Sequence, residues 1–567
     1  MSNFYSKCCS ITLVMLFSLS SLFAQQTVTG RVTDPNGAGL PGVSVSVVGT
    51  NKAAQSNMDG NYSIEANNGQ KLRFTSVGYQ TQEVSVTSST LNVTMQEDAG
   101  NIDEVVVTAM GIKRAPKELG YAMSTVEAKE LTKTGSPNFA GALYGKAPGV
   151  RISAAPGGAT SGININIRGV NSITGNSQPL IIIDGVPMRT TTFNNSNYWG
   201  DQRARGNGLE DLNPEDIESI TVLKGASAAA LYGSEALNGV VMVTTKSGKG
   251  GEGVAIDFNA TYTHDQIAYL PRFQDVRGPG YTTQYADAGQ GEDMFFYYGD
   301  DLAVDGVKRG LLGATINFGP KFDGQPVVSW DGKVRPYVAQ NAYGKLFNNP
   351  NNTIFNLALS HTSDKANTRF SLTRQDNEMT ALSSYNKKNI ASINSTMKFW
   401  DKLTTDIVVN YVNQHTHNRP FLTDRLVNNF TGMISTFDNP EWYLDRYSTS
   451  LGYKYVTGSN QSLTPGENLR HNGYKADVLD FMWNNLARQY DEYSNRVIGS
   501  FTNTWQVTQD FSIRGRFSAD MTNLKTDDKQ PNEIPVAFGQ SGYYASNNTT
   551  ANIYYTDLLA SYSKQIT

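Results

Sequence analysis

Residues 211–248 read DLNPEDIESITVLKGASAAALYGSEALNGVVMVTTKSG, and the order of elements in this stretch limits the choice of fold. Asn213 is a suitable N-cap acceptor, and Pro214 takes the first helical position, where its missing N–H costs nothing. Negative charge from Asp216 in the first turn also favours a short helix. A strand rich in Ile and Val, a turn of small residues and a final strand over residues 240–245 are predicted to follow. This αβαβ pattern contains no catalytic group, and taken alone it also fits an ordinary soluble α/β domain.

The composition indicates a β-rich chain of several domains. At 567 residues the chain exceeds what one domain usually holds. It contains 29 Tyr, 24 Phe and 52 Gly but only 5 His, a mixture rich in strand and turn formers. The formal net charge of -4 argues against a nucleic-acid binder, because phosphate contacts need a basic surface.

The first 24 residues have the features of a cleaved secretory signal. Lys7 precedes an apolar run over residues 11–23, which ends at Ala24 and is too short to span a bilayer. Both cysteines, Cys8 and Cys9, precede this run, so the mature chain is expected to form no disulfide. Because no later apolar stretch is long enough for a spanning helix, a membrane role would require a β-barrel.

Residues 26–97 are predicted to form a small β-sandwich. Short alternating segments such as VTGRVTD, VSVSVVG and KLRFTSVGY are separated by glycine turns. With Gly30, Asp34, Gly37 and Asp59 in place, the region resembles the carboxypeptidase-regulatory-like domain. The resemblance implies a domain without peptidase activity, and the span contains no His for a zinc site.

Residues 117–250 resemble the plug domain of TonB-dependent transporters. The motifs KAPGV, IRGVNS, IDGVP and IESITVLKGASAAALYG occur in this order, which is similar to the SusC/RagA branch of that family. The resemblance implies an α/β plug inside a transmembrane β-barrel of about 22 strands. The plug motif residues are Arg168, Gly169, Asp184, Gly185, Lys224, Gly225, Tyr232 and Gly233.

The segment 102–112 lies between the sandwich and the plug and contains the sequence DEVVVTA. Three consecutive valines flanked by polar residues form an edge to which a strand of another protein can add. By its position the segment resembles a TonB box, which implies that the inner-membrane protein TonB binds it. The alternative is one more strand of the preceding sandwich. The predicted partner-binding residues are Asp103, Glu104, Val105, Val106, Val107, Thr108 and Ala109.

From Val254 onward the sequence shows eight period-two segments typical of membrane strands. In the first segment, Ile256, Phe258 and Tyr262 alternate with polar residues, as a strand between lipid and water requires. Long and short connections alternate along the chain, whereas a soluble β-sandwich has no reason to keep that alternation. The other seven segments lie near 354–362, 367–376, 389–399, 403–413, 495–507, 511–522 and 550–563.

Residues 254–567 are predicted to be only part of a barrel. An eight-stranded barrel is filled by its own side chains, whereas a lumen that holds a folded plug belongs to barrels of about 22 strands. A closed barrel leaves no free strand edge, so on the order of fourteen further strands are expected outside this sequence.

The loop 291–306, GEDMFFYYGDDLAVDG, combines acidic and aromatic residues. Its aromatic side chains could stack on sugar rings, but packing of the loop against the plug is the favoured interpretation. Calcium is a less favoured one, because the spacing of Asp300, Asp301 and Asp305 matches no EF-hand. His415 and His417 are assigned to a long loop without a carboxylate pair, so no metal site is predicted there. The possible ligand or loop contacts are Phe295, Phe296, Tyr297 and Tyr298.

Together these features predict active uptake of a nutrient across the outer membrane of a Gram-negative bacterium. No catalytic motif occurs, so neither enzymatic activity nor a cofactor is expected. The resemblance implies TonB as the energy source, a SusD-like surface lipoprotein as a lid, and an oligosaccharide or, alternatively, a peptide as ligand. It also implies a periplasmic N-terminal domain and outer membrane lipid around the barrel. A ligand-sensing signalling receptor and a secreted adhesion protein are the competing functions; the all-β N-terminal region argues against the first.

Overall fold

The computed structural model describes most of the chain after residue 25. The described residues are 26–35, 37–50, 52–76, 79–96, 106–107, 113–114, 123–127, 130, 143–154, 160, 162–170, 177–188, 203, 206–224, 233–248, 253–280, 293–301, 303–311, 319–420, 434–455, 467, 476–537 and 539–564. Contacts divide the chain into two compact units, residues 1–107 with 113–119 and residues 108–112 with 120–567, and each is described by itself.

The first unit contains two small sheets around one apolar core, which confirms the predicted sandwich. Val45, Leu72 and Phe74 are completely buried, and Tyr62 packs edge-on against Phe74. Polar and apolar residues alternate along the strands, so each strand contributes one face to this core. The strands are β1 (Gln26–Thr33), β2 (Ser44–Val47), β3 (Ala53–Gln55), β4 (Asn61–Ala66), β5 (Lys71–Thr75), β6 (Gln82–Ser85) and β7 (Val93–Thr94). Their orders are β4-β1-β7 and β3-β2-β5-β6.

Two very short strands follow in the region predicted to be the TonB box. Strand β8 (Val106–Val107) pairs antiparallel with β9 (Lys113–Arg114), and neither joins a sheet of the sandwich. The other predicted partner-binding residues, Asp103, Glu104, Val105, Thr108 and Ala109, lie outside the described residues.

The second unit begins with the plug, built on a five-stranded sheet of order β10-β15-β16-β13-β14 and a separate hairpin β11-β12. Its core consists of aliphatic residues, with Ile165, Ile181, Ile220 and Val222 completely buried. The strands are β10 (Met123–Glu127), β11 (Val150–Ala154), β12 (Ile163–Ile167), β13 (Leu180–Ile183), β14 (Val186–Met188), β15 (Ile217–Leu223) and β16 (Val240–Thr245). Short 3-10 helices span Leu209–Asp211, Pro214–Asp216 and Gly233–Ala236.

The stretch 211–248 folds largely as its sequence predicts. The Asn213 side chain accepts a hydrogen bond from the backbone N–H of Glu215 at 3.3 Å, and Pro214 begins the helix. This helix is a single 3-10 turn, after which β15 and β16 pair antiparallel. The predicted turn of small residues, 225–232, lies outside the described residues.

An eight-stranded antiparallel sheet, called the wall below, follows the plug. Its strands neighbour one another in chain order, and their number is the one that the sequence predicts. They are β17 (Gly253–His264), β22 (Asn351–Thr362), β23 (Ala366–Glu378), β24 (Tyr385–Phe399), β25 (Leu403–His417), β26 (Gln489–Gln506), β27 (Phe511–Gln530) and β28 (Tyr543–Tyr562).

The predicted strand bounds are wrong at the ends that face the long connections. Strand β25 continues to His417 rather than residue 413, and β27 continues to Gln530 rather than residue 522. His415 and His417 therefore lie in a strand, and both contact the carboxylate of Asp491 at 2.8 Å, so their assignment to a loop is corrected. Beyond the apolar part of each strand both faces become polar, and the period-two signal fades although backbone pairing continues.

The two longest connections of the wall share a second core, called the loop core below. Trp330 stacks on Tyr443 with ring centroids 4.7 Å apart, and the loop residue Phe295 packs edge-on against Tyr337 at 4.9 Å. The expected packing of the 291–306 loop against the plug is wrong for Phe295, which lies in this loop core. The elements are β18 (Phe296–Tyr297), β19 (Arg309–Gly310), β20 (Pro326–Val328), β21 (Val334–Pro336), a 3-10 helix (Tyr343–Leu346), α1 (Glu441–Leu444) and α2 (Ala476–Leu486). Within the described ranges, every helix is too short or too polar to cross a bilayer.

Candidate functional site

One face of the wall carries polar side chains that contact the plug; this is called the inner face, and the contacts form the seam. Alternate residues of β23 define the inner face, because Arg369, Ser371 and Thr373 all bond to plug residues. The plug side of the seam comes largely from residues 206–216, called the latch segment, which precede β15. The seam is the candidate functional site, since it joins the plug to the wall.

Asp216 is the centre of the first contact. Its carboxylate accepts hydrogen bonds from Arg369 Nη1 at 2.6 Å and Ser371 Oγ at 2.7 Å. The Asn213 side chain donates to the other carboxylate oxygen at 2.7 Å and to Thr373 Oγ1 at 2.8 Å. Asp216 and Arg369 are each 5% exposed, so this ion pair lies out of water. A buried pair of this kind stabilises the docked state mainly because separating its charges leaves each without compensation.

Arg496 of β26 forms the second contact and links the plug to a wall carboxylate. Its Nη1 donates to Asp211 Oδ2 at 2.7 Å and to the carbonyl oxygen of Gly208 at 3.2 Å. Its Nε and Nη2 donate to the two oxygens of Asp520 at 2.9 and 2.7 Å. The plug and the wall thus share one buried guanidinium. Gly208 has φ 87, and an added Cβ would lie 2.7 Å from Arg496 Nη1, so the close approach requires glycine.

The hairpin turn between β13 and β14 makes the third contact. Asp184 (φ 46) and Gly185 (φ 83) form a turn with two left-handed residues, and a Cβ on Gly185 would lie 1.9 Å from Arg516 Nη1 of the wall. The Asp184 carboxylate accepts from the backbone N–H of Thr245 at 2.9 Å and from its hydroxyl at 2.7 Å. Asn394 of the wall donates to the same hydroxyl at 3.0 Å. Burial raises the pKa of Asp184 to about 6, outweighing these two hydrogen bonds, which lower it.

Glu210 precedes Asp211 in the latch segment and is nearly inaccessible. Burial, followed by the neighbouring charge of Asp211, raises the pKa of Glu210 to about 7. Its backbone carbonyl accepts a hydrogen bond from Lys388 Nζ of the wall at 2.5 Å. Further along the inner face, Arg419 donates to the carbonyl of plug residue Thr160 at 2.5 Å while pairing with Glu492. These contacts of the seam are therefore hydrogen bonds and ion pairs between polar groups of the plug and of the wall.

The plug motif residues mostly shape turns rather than meet at one site. Arg168 (φ 60) and Gly169 (φ 103) form the turn after β12, and the N–H of Arg168 donates to the carbonyl of Gly149 at 2.9 Å. Lys224 Nζ donates to Ser124 Oγ at 2.6 Å, which ties β15 to β10. Gly233 has φ 73 and opens a 3-10 helix. Only Asp184 and Gly185 adjoin the seam, while Gly225 and Tyr232 lie outside the described residues.

The acidic and aromatic loop is divided between the loop core and solvent. Phe295 and Tyr298 are each 3% exposed, whereas Tyr297 is 42% exposed and donates to Asp293 Oδ2 at 2.7 Å. Phe296 packs edge-on against Tyr298. Asp300 pairs with Lys308, which uses one of the three carboxylates considered for calcium. In the described part of the chain, no cluster of three His, Cys, Asp or Glu side chains could hold a metal.

Sequence reasoning missed the wall residues of the seam. Arg369 lies on β23 and Arg496 on β26. On each strand the arginine is at one of the alternate positions that face inward, opposite to those that carry the apolar outer-facing side chains. An arginine in the inward phase of a membrane-type strand was the available signal, although it does not identify the partner.

Comparisons with known proteins agree with this architecture. Residues 28–107 match the CarboxypepD_reg-like domain, and residues 115–240 match the TonB-dependent Receptor Plug Domain. A plug joined to a wall of antiparallel strands defines the class of TonB-dependent receptors. Within that class, these matches and the relatives described next support a receptor of the SusC/RagA type.

Individual relatives support this assignment over different lengths. The TonB-dependent receptor SusC of Bacteroides thetaiotaomicron is 34% identical over 293 residues, covering 52% of this chain and 28% of SusC. The TonB-dependent receptor P26 of Formosa agariphila is 28% identical over 549 residues, covering 94% of this chain and 47% of P26. The chain thus spans less than half the length of either relative.

A solved structure shares the fold. The RagAB peptide importer in its closed-closed state gives a TM-score of 0.56 at 19% identity, covering 79% of this chain and 46% of that one. The names of these relatives are those of receptors and of a transporter rather than of enzymes.

Proposed function

We propose that this chain belongs to a transporter that imports a nutrient across the outer membrane of a Gram-negative bacterium. The plug closes the passage along the inner face of the wall, and energy from TonB releases it. The observation that carries this proposal is the seam, because the buried Asp216–Arg369 pair and the largely buried Asp211–Arg496 pair join the plug to the wall. Such pairs hold firmly at rest, and water can compensate their charges once they separate.

The outer face of the wall carries exposed apolar side chains, as a surface in contact with membrane lipid requires. Phe258 is 70% exposed at the centre of an apolar run on β17, and Leu558 is 80% exposed at the centre of a similar run on β28. Following directly paired residues from Phe258, strand by strand across the wall, leads to Asn552 on β28. The apolar run on β28 is centred at position 558 instead of 552, so the apolar band is displaced along the strands as it crosses the sheet. That is about 20 Å of rise over about 34 Å of width. The strands are therefore inclined by roughly 30° to the apolar band, near the tilt of outer-membrane strands.

The segment 103–109 supplies the attachment for TonB in this proposal. Val106 and Val107 have extended backbone and pair on one side with β9, and no other described strand pairs with their second side, to which an incoming strand can add in this proposal. The N-terminal sandwich then lies in the periplasm, and the first 24 residues direct export.

Resemblance to the SusC/RagA type favours an oligosaccharide as the nutrient, with a SusD-like lipoprotein over the outer mouth. A peptide is the alternative substrate, and a related fold occurs in the RagAB peptide importer. A receptor that senses its ligand without import is the alternative activity.

Uptake by the product of the complete gene tests the energy coupling. Deletion of residues 104–109, or Val106→Pro, should abolish nutrient-dependent growth while the amount of protein in the outer membrane stays the same, because proline cannot complete the added strand. Ala99→Pro, between the predicted sandwich (26–97) and the predicted TonB box segment (102–112), is the matched control and should grow normally. Normal growth of the deletion variant would refute energy-coupled import, and ligand-dependent transcription without uptake would favour the sensing receptor.

A further inference from the structure

A group of carboxamide side chains lies on the inner face of the wall beside the seam. Asn352, Asn377 and Asn386 occupy one row across β22, β23 and β24. Gln375 and Gln414 occupy the next row, on either side of Lys388. Gln375 shares the strand phase of Arg369 and Thr373, which contact the plug, so the row faces inward. These five residues, Asn352, Gln375, Asn377, Asn386 and Gln414, are called the amide belt.

The amide belt is buried but only partly hydrogen-bonded. Gln375 is 1% exposed and Asn377 is 3% exposed. Among the residues that the structure describes, both side-chain polar atoms of Gln375 lack a partner, as do Oδ1 of Asn377 and Oδ1 of Asn352. Asn386 and Gln414, in contrast, both donate to Thr416 Oγ1. Because buried amides are nearly always paired in folded proteins, four unpaired atoms on two adjacent strands point to a partner that binds there.

The belt adjoins the plug, and the cation within it, Lys388, is covered while the latch segment is docked. Lys388, within the belt, donates to the backbone carbonyl of Glu210 in the latch segment. Arg419 nearby is paired with Glu492. Withdrawal of the latch segment would uncover the amides together with Lys388, whose partner in the docked plug is a neutral carbonyl oxygen, an acceptor that hydroxyl and amide groups also provide.

We propose that the amide belt is a subsite on the import path for an uncharged ligand rich in hydroxyl or amide groups. This inference rests on the proposed transport function and names its substrate class. Three of the four unpaired atoms are acceptor oxygens, on Asn352, Gln375 and Asn377, and each needs a donor from the ligand. Hydroxyl and amide groups provide donors, whereas carboxylate and phosphate groups only accept. The ligand reaches the belt as the latch segment withdraws.

Competitive uptake by cells expressing the complete gene tests this subsite. The probe is a pool of neutral oligosaccharides, acidic oligosaccharides, end-blocked neutral peptides and acidic peptides, with depletion from the medium followed by mass spectrometry. The native protein should deplete neutral members in a TonB-dependent manner, and whether these are sugars or peptides distinguishes the two sources. The Gln375→Leu/Asn377→Leu double variant should take up the same members about tenfold more slowly at low concentration.

Two controls separate loss of the subsite from misfolding. Asn389→Leu removes an exposed amide on the opposite face of β24 and should import at the native rate. Purified double variant should melt close to the native protein, because Gln375 has no hydrogen-bond partner among the described residues and Asn377 loses only one long hydrogen bond, from its Nδ2 to Asn386 Oδ1 at 3.4 Å. Gln375→Glu keeps the shape but adds an acceptor-only charge, and it should slow uptake at least as much as leucine.

The outcomes separate the two claims. Native uptake with an unaffected double variant overturns the subsite and leaves the transporter intact. Preferential depletion of acidic members also overturns the subsite. Absence of any TonB-dependent depletion by the native protein refutes the proposed function, and the subsite with it.

Discussion

Replacing Asp216 by asparagine should release the plug from the wall more readily. Arg369 is 5% exposed, and Asp216 is its carboxylate partner among the described residues. The Asp216→Asn variant keeps the shape but leaves a buried guanidinium without a counter-charge. Breaking a buried pair in this way costs about 3–5 kcal/mol. Since about 1.4 kcal/mol is a factor of ten, the population of released plug should rise by roughly two to three and a half powers of ten.

Asp211→Asn is the matched control, because it removes the same charge from the same segment. Arg496 retains both hydrogen bonds to Asp520 after this change, so its charge stays compensated. The expected loss is that of one hydrogen bond to a charged group, about 1.5–3 kcal/mol. The structure therefore predicts that Asp216→Asn has the larger effect.

Hydrogen exchange of the purified product of the complete gene measures this difference. Peptides that cover β15 and β16 report release of the plug, and a peptide from β25 reports the integrity of the wall. Exchange in the plug peptides should be fastest in Asp216→Asn, intermediate in Asp211→Asn and slowest in the native protein, with the wall peptide unchanged. Equal exchange in the two variants would refute the argument that compensation of the wall arginine decides the strength of each contact.

Three further substitutions test the seam and the turns beside it. Burial raises the pKa of Asp184 to about 6 from 3.8, so the folded plug binds this proton more tightly than the unfolded chain does. Its contribution to stability is therefore greatest below about pH 4 and is lost as pH rises to about 6. In the Asp184→Asn variant the melting temperature should accordingly depend less on pH over that interval than it does in the native protein. Gly185→Ala should destabilise the plug by about 1–3 kcal/mol in denaturant titrations, through its positive φ and a clash with Arg516. Asn213→Ala should cost at least about 1–2 kcal/mol in the same titrations, because it removes the helix cap together with the hydrogen bonds to Asp216 and Thr373, and no change would show that these contacts are dispensable.

The sequence predicts the repeating parts of this fold well. Period-two alternation identifies all eight strands of the wall, because one face is apolar and the other polar over most of each strand. The helix start at Asn213 and Pro214 is equally local, since capping depends on neighbouring residues alone. The ends of the strands near His417 and Gln530 are missed because backbone pairing there continues without an apolar face.

The seam could not be predicted from the sequence. Asp216 and Arg369 lie far apart along the chain, and neither belongs to a local motif that names the other. The same holds for the loop core, in which Phe295 packs among residues from a second connection that include Tyr443. Local patterns determine which face of an element is polar, whereas the pairing of two polar faces depends on the tertiary fold.

A reversible covalent link between plug and wall tests the central claim most directly. Within these 567 residues the only cysteines are Cys8 and Cys9, which precede the predicted cleavage site, and the single-cysteine variants control for any cysteine elsewhere in the complete product. Thr245→Cys with Asn394→Cys replaces two side chains in contact across the seam, whose polar atoms are 3.0 Å apart. In cells with the complete gene, oxidation of this pair should stop TonB-dependent uptake and reduction should restore it, while each single variant imports under both conditions. Undiminished uptake by the fully cross-linked protein would contradict a plug that must leave the wall for import.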